Sequence, residues 1–102
     1  MTIAWAEPAL ADLAAIHKSL ARDSEAYASR VVERLMAAVE RTPPVPRIGR
    51  VVQEVGDDRV RELLFQGFRI IYQTEANRIV VLSVLHGGRT SERREPRRWE
   101  FF

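Results

Sequence analysis

The strongest constraint on this fold is a change in the spacing of apolar residues near the middle of the chain. Over Pro8–Ala21 and Glu25–Arg41 they recur every three or four positions, which is the spacing of one buried helix face. After Arg50 they occur instead in short runs bounded by turn residues, a pattern typical of β-strands. Because the two patterns are segregated along the chain, we expect an α+β fold with helices and strands in separate layers.

Local signals define the two helices. Pro8 suits the first turn of a helix, and Glu7 is well placed for the positive end of the helix dipole. The sequence Arg-Asp-Ser at 22–24 interrupts the pattern, and Asp23 or Ser24 can cap the second helix. Since so short a link joins helices that run in opposite directions, we predict an antiparallel helical hairpin.

The strands are predicted from the turn and breaker residues that bound them. Three prolines in the segment 42–50 end the second helix, and Gln66-Gly67 predicts a tight hairpin. The predicted strands are Thr2–Ala6, 51–55, 59–66, 68–74 and 78–86. The element order is therefore β-α-α-β-β-β-β, with the helical hairpin on one face of a mostly antiparallel sheet. The last strand is apolar throughout and should be buried on both sides, while the second sheet face is expected to stay partly open to a partner.

Length and composition favour one cytoplasmic domain. The 102 residues fit a single domain over 1–102, in which 90–102 form a basic and aromatic tail. The chain has no cysteine, and no apolar run approaches the length of a membrane span, so neither a leader nor a membrane contact is expected. Isolated histidines and scattered acids lack metal-ligand spacing, and we predict neither a metal nor a cofactor.

The basic residues narrow the chemistry. Lys18 is the single lysine among sixteen basic residues, and the others are arginines, which stay protonated and offer a planar fork to carboxylates and phosphates. His17 and His86 are the only histidines. Few side chains can therefore move a proton near neutral pH.

Several short motifs occur in a distinctive order along nearly the whole chain. They are Trp5 with EPALADLAAI, IGR at 48–50, VREL at 60–63, GFRIIY at 67–72 and VLSVLHGGR at 81–89. In this order they resemble the RelE/ParE superfamily of toxins from bacterial type II toxin–antitoxin modules, closer to the ParE branch. The resemblance implies the fold predicted above, and a cognate antitoxin whose C-terminal segment wraps over the toxin.

The two branches imply different activities. RelE-like members cut messenger RNA on the ribosome, whereas ParE-like members are associated with poisoning DNA gyrase and lack the ribonuclease residues. The RelE-like pattern has lysines on the strand before the hairpin and a Tyr or His in the C-terminal segment. Here that strand reads RVRELLFQ, and neither residue follows Arg89. The resemblance therefore favours a toxin that binds and inhibits gyrase.

Two alternatives remain open. A RelE-like, ribosome-dependent endoribonuclease would use Arg61, Arg69 and Arg89 on the phosphate of messenger RNA and His86 for proton transfer. Arg69 and Arg89 fall at arginine positions of the family. A degenerate member would keep the antitoxin contact without toxicity.

Arginines and tail aromatics are the candidate binding residues. Arg61 and Arg69 flank the hairpin, so we expect them close together near the open sheet face, gripping a carboxylate-bearing peptide or a phosphate. Apolar residues at the end of the tail should dock on the sheet or on a partner. The predicted antitoxin- or target-binding residues are Arg61, Arg69, Arg89, Arg93, Arg94, Arg97, Arg98, Trp99, Phe101 and Phe102.

Other polar and aromatic residues have structural interpretations. Glu62 and Glu54 could serve as bases if their pKa were raised, but an ion pair with a neighbouring arginine is the simpler expectation for Glu62. Phe68 and Tyr72 are expected in the core, and His17 is expected to be structural or exposed. His86 either takes part in acid–base chemistry or caps its strand by bonding a backbone carbonyl.

Overall fold

The computed structural model describes residues 2–41, 49–52 and 55–86. Its elements follow the expected order and confirm the α+β class. They are β1 (Thr2–Trp5), α1 (Glu7–Ala21), α2 (Glu25–Glu40), β2 (Arg50–Val51), β3 (Val60–Phe65), β4 (Phe68–Thr74) and β5 (Arg78–His86). Apart from β2, the predicted ends differ by one residue at most.

The five strands form one sheet in the order β1-β5-β4-β3-β2. β1 runs parallel to β5, and the other three pairs are antiparallel, so the sheet is mostly antiparallel as predicted. The β3–β4 hairpin turns on Gln66 and Gly67, whose φ angles are 49° and 85°. Two positive φ angles match the twist of the flanking strands, which is why this tight turn needs a glycine.

Both helices pack on one face of the sheet. Pro8 lies in the first turn of α1, and the Ser24 hydroxyl caps α2 by accepting a hydrogen bond from the Tyr27 amide at 3.2 Å. The His17 ring and the Ser29 hydroxyl, 3.3 Å apart, join the two helices, which confirms a structural role for His17. The core between the layers contains Ala9, Leu13, Val31, Leu35, Val39, Phe68, Ile70, Val81 and Val84.

The opposite face of the sheet was predicted to be partly open; it is buried in its middle, and Leu64 on the same face is exposed. Ile71, Leu82 and Leu85 alternate with helix-side core residues and therefore point away from the helices. These three side chains, together with Val52 and Val60, are almost fully withdrawn from solvent. The reason is that β4 and β5 are apolar on both faces, and burying both is favourable.

β2 is shorter than the predicted strand 51–55. In the described chain it pairs with β3 through Arg50 opposite Glu62 and Val51 opposite Arg61, and the Val52 amide donates one further hydrogen bond to the Val60 carbonyl at 3.2 Å. The Val52 carbonyl accepts hydrogen bonds from the amides of Val55 and Gly56 at 3.2 and 3.3 Å. Gln53 and Glu54 lie outside the described residues.

Candidate functional site

A cavity of about 360 Å³ opens between α1 and the end of β5. It is lined by Asp12, Ala15, Ile16, Ser19, Leu20, Phe68, Val84 and His86. The cavity exists because β1 is short: its last residue, Trp5, pairs with Val81. In the described chain, the outer edge of β5 from Leu82 onwards therefore has no neighbouring strand.

Asp12 occupies part of that unpaired strand edge. Its Oδ2 atom accepts a hydrogen bond from the Val84 amide at 2.9 Å and one from the Ser83 hydroxyl at 3.0 Å. Asp12 is only 8% exposed, so its carboxylate replaces a missing strand partner in a buried place. β5 also bulges here, because Ile71 faces Ser83 whereas Tyr72 faces Val81.

Replacing Asp12 by alanine should destabilise the protein by about 2 kcal/mol, because the Val84 amide and the Ser83 hydroxyl would lose their acceptor in a buried site. Asp12→Asn keeps one acceptor and should fall between wild type and alanine. Urea unfolding measures both, with exposed Glu33→Ala on α2 as the control. A loss no larger than that of the control would contradict this role.

His86 stands at the mouth of the cavity. It is exposed, and its ring meets Phe68 edge-on, with ring centroids 5.1 Å apart and an interplanar angle of 86°. Phe68 is buried in the core, as predicted. His86 therefore lies on the helix side of the sheet, since directly paired residues of an antiparallel ladder share a face.

Arg61 and Arg69 do not lie together, contrary to the expectation. Arg61 pairs with Tyr72 across the hairpin, whereas Arg69 pairs with Leu64, so the two arginines point to opposite faces of the sheet. The Arg61 Nε donates to the Asp58 carbonyl at 2.7 Å, and its Nη1 makes a longer 3.4 Å contact with the Gly49 carbonyl. Their predicted roles in binding stay predictions.

Arg69 instead joins a charge cluster that includes Arg50, a residue the sequence did not single out. Glu62 accepts from the Arg50 Nε on Oε1 at 2.6 Å, and from the Arg69 Nε and Nη2 on Oε2 at 2.7 and 2.6 Å. Glu62 is 5% exposed and Arg69 is 12% exposed, so this half of the cluster is buried. The expected ion pair of Glu62 is confirmed, and we call this group the Arg50–Glu62–Arg69 cluster.

A buried tyrosine fixes the backbone beside the cluster. The Gly49 amide donates to the Tyr72 hydroxyl at 2.9 Å. Burial raises the pKa of Tyr72, although the Gly49 amide and the charge of Arg61 act in the opposite direction. A side chain at Gly49 would lie 2.5 Å from the Glu62 carbonyl oxygen and 2.6 Å from the Tyr72 hydroxyl, so only glycine fits.

Of the residues predicted for a ribonuclease, the three that the structure describes, His86, Arg61 and Arg69, do not converge. His86 pairs with Phe68 beside the hairpin turn, whereas Arg61 lies four residues along β3 from Phe65, roughly 13 Å away at ordinary strand rise. Arg69 lies on the opposite face. The other candidates, together with Glu54, fall outside the described residues: Arg89, Arg93, Arg94, Arg97, Arg98, Trp99, Phe101 and Phe102.

Over 2–41, 49–52 and 55–86, no three metal-ligating side chains come together as a candidate ion site. Neither described helix combines the length and the apolarity needed to cross a bilayer.

Comparison with known proteins gives a family and a fold. Residues 3–90 match the family model described as "ParE toxin of type II toxin-antitoxin system, parDE". A solved structure titled "Chromosomal ParDE TA system from P. aeruginosa" is similar in fold, with a TM-score of 0.65 at 22% identity. The alignment covers 84% of this chain and 95% of that one. No curated protein matches the sequence.

Proposed function

Because the chain belongs to the ParE toxin family of type II toxin–antitoxin systems, we propose that it arrests growth by binding and inhibiting DNA gyrase in the cytoplasm. As a type II toxin it has a cognate antitoxin as its partner. We propose gyrase as the target, and inhibition by binding rather than by catalysis as the mode of action.

The arrangement of the candidate catalytic residues carries this proposal. Cleavage of RNA by its 2′-hydroxyl needs a base, an acid and cations around one phosphate. His86 lies on the helix side near the hairpin turn, whereas Arg69 lies on the other face and is bound to Glu62. Since one phosphate cannot contact both faces of a sheet, the geometry supports binding in place of catalysis.

The cavity between α1 and β5 is the proposed contact for the antitoxin. The part of the β5 edge that Asp12 does not occupy offers backbone hydrogen bonds to an extended segment, and the apolar lining offers a place for its side chains. The predicted binding roles of Arg61, Arg69, Arg89 and the tail belong to the same proposal. They would be tested by alanine substitution and measurement of antitoxin and gyrase binding.

A histidine substitution separates binding from catalysis in cells. When the toxin is produced without its antitoxin, we expect His86→Ala to arrest growth as wild type does, with messenger RNA intact, because no proton transfer is required. His17→Ala is the matched control, since it removes the other histidine of the chain, which lies in the helical hairpin and not at the cavity. If His86→Ala folds normally and loses toxicity while wild type cleaves messenger RNA, the ribonuclease alternative is correct. If wild type itself fails to slow growth, the chain is a degenerate member.

A further inference from the structure

The guanidinium of Arg50 is bound on its Nε side, and its two Nη groups face solvent. Its Nε is bound by Glu62 at 2.6 Å, yet its side chain is 66% exposed. Among the described residues, no partner contacts its two Nη groups. The part of an arginine that can bind a carboxylate through two parallel hydrogen bonds is therefore turned to solvent.

The support beneath Arg50 is rigid. Glu62 is fixed on its second oxygen by Arg69, and the backbone of Arg50 pairs with that of Glu62. The neighbouring Gly49 amide is bonded to the buried Tyr72 hydroxyl. A side chain already ordered in this way loses little conformational entropy when a ligand binds, so a contact made by Arg50 contributes more of its gross energy to affinity.

The charge and the surroundings indicate the ligand. Glu62 divides its two oxygens between Arg50 and Arg69, and the exposed side chain of Arg50 carries its positive charge outward. Leu64 lies on the same sheet face as Glu62 and is 59% exposed. A surface for nucleic acid would gather several uncompensated cations along a phosphate track. One open guanidinium beside an exposed leucine instead fits a protein segment with an acidic and an apolar residue.

We propose that Arg50 and Leu64 form a docking site for an Asp or Glu side chain, with an adjacent apolar residue, in the antitoxin. The site lies on the sheet face away from the cavity between α1 and β5. An antitoxin segment that reaches both would contact two faces of the toxin. The proposal rests on the antitoxin partnership of the proposed function, but not on gyrase as the target.

Affinity for the purified cognate antitoxin, measured by calorimetry, tests the site. We expect Arg50→Gln to weaken binding by about tenfold or more, and Arg50→Lys to fall between, because lysine keeps the charge but not the fork. Leu64→Ala should weaken binding several-fold. The control is Arg59→Gln, since Arg59 is 63% exposed and already paired with Asp57; it should stay within about twofold of wild type. Because salt screens charges, raising the salt concentration should reduce the difference in antitoxin affinity between wild type and Arg50→Gln.

The alternatives give distinct results. Arg50→Gln binding as tightly as Arg59→Gln, with both folded by circular dichroism, would overturn the proposal and leave the proposed function untouched. Unchanged antitoxin affinity with a loss of binding to a short DNA duplex would assign Arg50 to phosphate and also overturn it. If wild type binds no antitoxin at any concentration, the partnership itself fails.

Discussion

Replacing Glu62 by alanine should destabilise the protein by about 3 to 5 kcal/mol, because it removes the carboxylate that accepts two hydrogen bonds from the buried guanidinium of Arg69. The same cluster provides a graded series. Arg50→Ala should cost less than about 1 kcal/mol, since Arg50 is mostly exposed and water replaces its partner. Arg69→Ala should lie between these two, because the remaining Glu62 keeps its contact with Arg50.

Urea unfolding followed by circular dichroism measures this series. A domain of this size has roughly 5 to 15 kcal/mol of stability, so Glu62→Ala should shift the unfolding midpoint by a large fraction of its value. Glu62→Gln is the control for shape, since it keeps the packing volume and one acceptor while removing the charge. If Glu62→Ala lies within about 1 kcal/mol of wild type, the cluster is not the buried support described above.

Adding a methyl group at Gly49 should cost about 3 kcal/mol. It would lie 2.5 Å from the Glu62 carbonyl oxygen and 2.6 Å from the Tyr72 hydroxyl. Neither atom can move easily, because the carbonyl belongs to the β2–β3 pairing and Tyr72 is buried. The same shift would displace Arg50, so antitoxin binding should weaken in parallel.

Thermal or urea unfolding of Gly49→Ala measures this loss, and Gly67→Ala is its control. Gly67 has a φ of 85°, but an added Cβ there meets no atom within 4 Å, so only backbone strain of about 1 kcal/mol is expected. The double variant Gly49→Ala/Tyr72→Phe removes one of the two close contacts and should recover part of the loss. If Gly49→Ala is no less stable than Gly67→Ala, close packing at Gly49 is excluded.

The sequence predicted the elements well because each is marked locally. The bounds of β4 and β5 agree with the prediction, since Gln66-Gly67 and the turn 75–77 delimit them. The prediction that Arg61 and Arg69 lie close together was wrong, because it depends on the register between β3 and β4. A two-residue turn places Phe65 opposite Phe68, and the same register places Arg61 opposite Tyr72, on the face that Arg69 does not share. The hairpin itself therefore held the signal that Arg61 and Arg69 diverge.

The candidate site was harder to predict because it depends on contacts between distant segments. Arg50 reaches Glu62 through a strand of only two residues, which gives no periodic pattern. The cavity beside His86 depends on where β1 ends and on Asp12 bonding to Val84, 72 positions away. The burial of the sheet face away from the helices was easier to predict, because the continuously apolar sequence of β5 already indicated that this strand is covered on both sides.

The most direct test of a binding toxin aimed at gyrase is a supercoiling assay with purified gyrase, relaxed plasmid and ATP. We expect wild-type toxin to inhibit supercoiling, His86→Ala to inhibit it at a concentration within about twofold of wild type, and the antitoxin to reverse both effects. Normal supercoiling at a large excess of folded toxin, together with cleavage of messenger RNA on ribosomes that His86→Ala abolishes, would contradict the proposal.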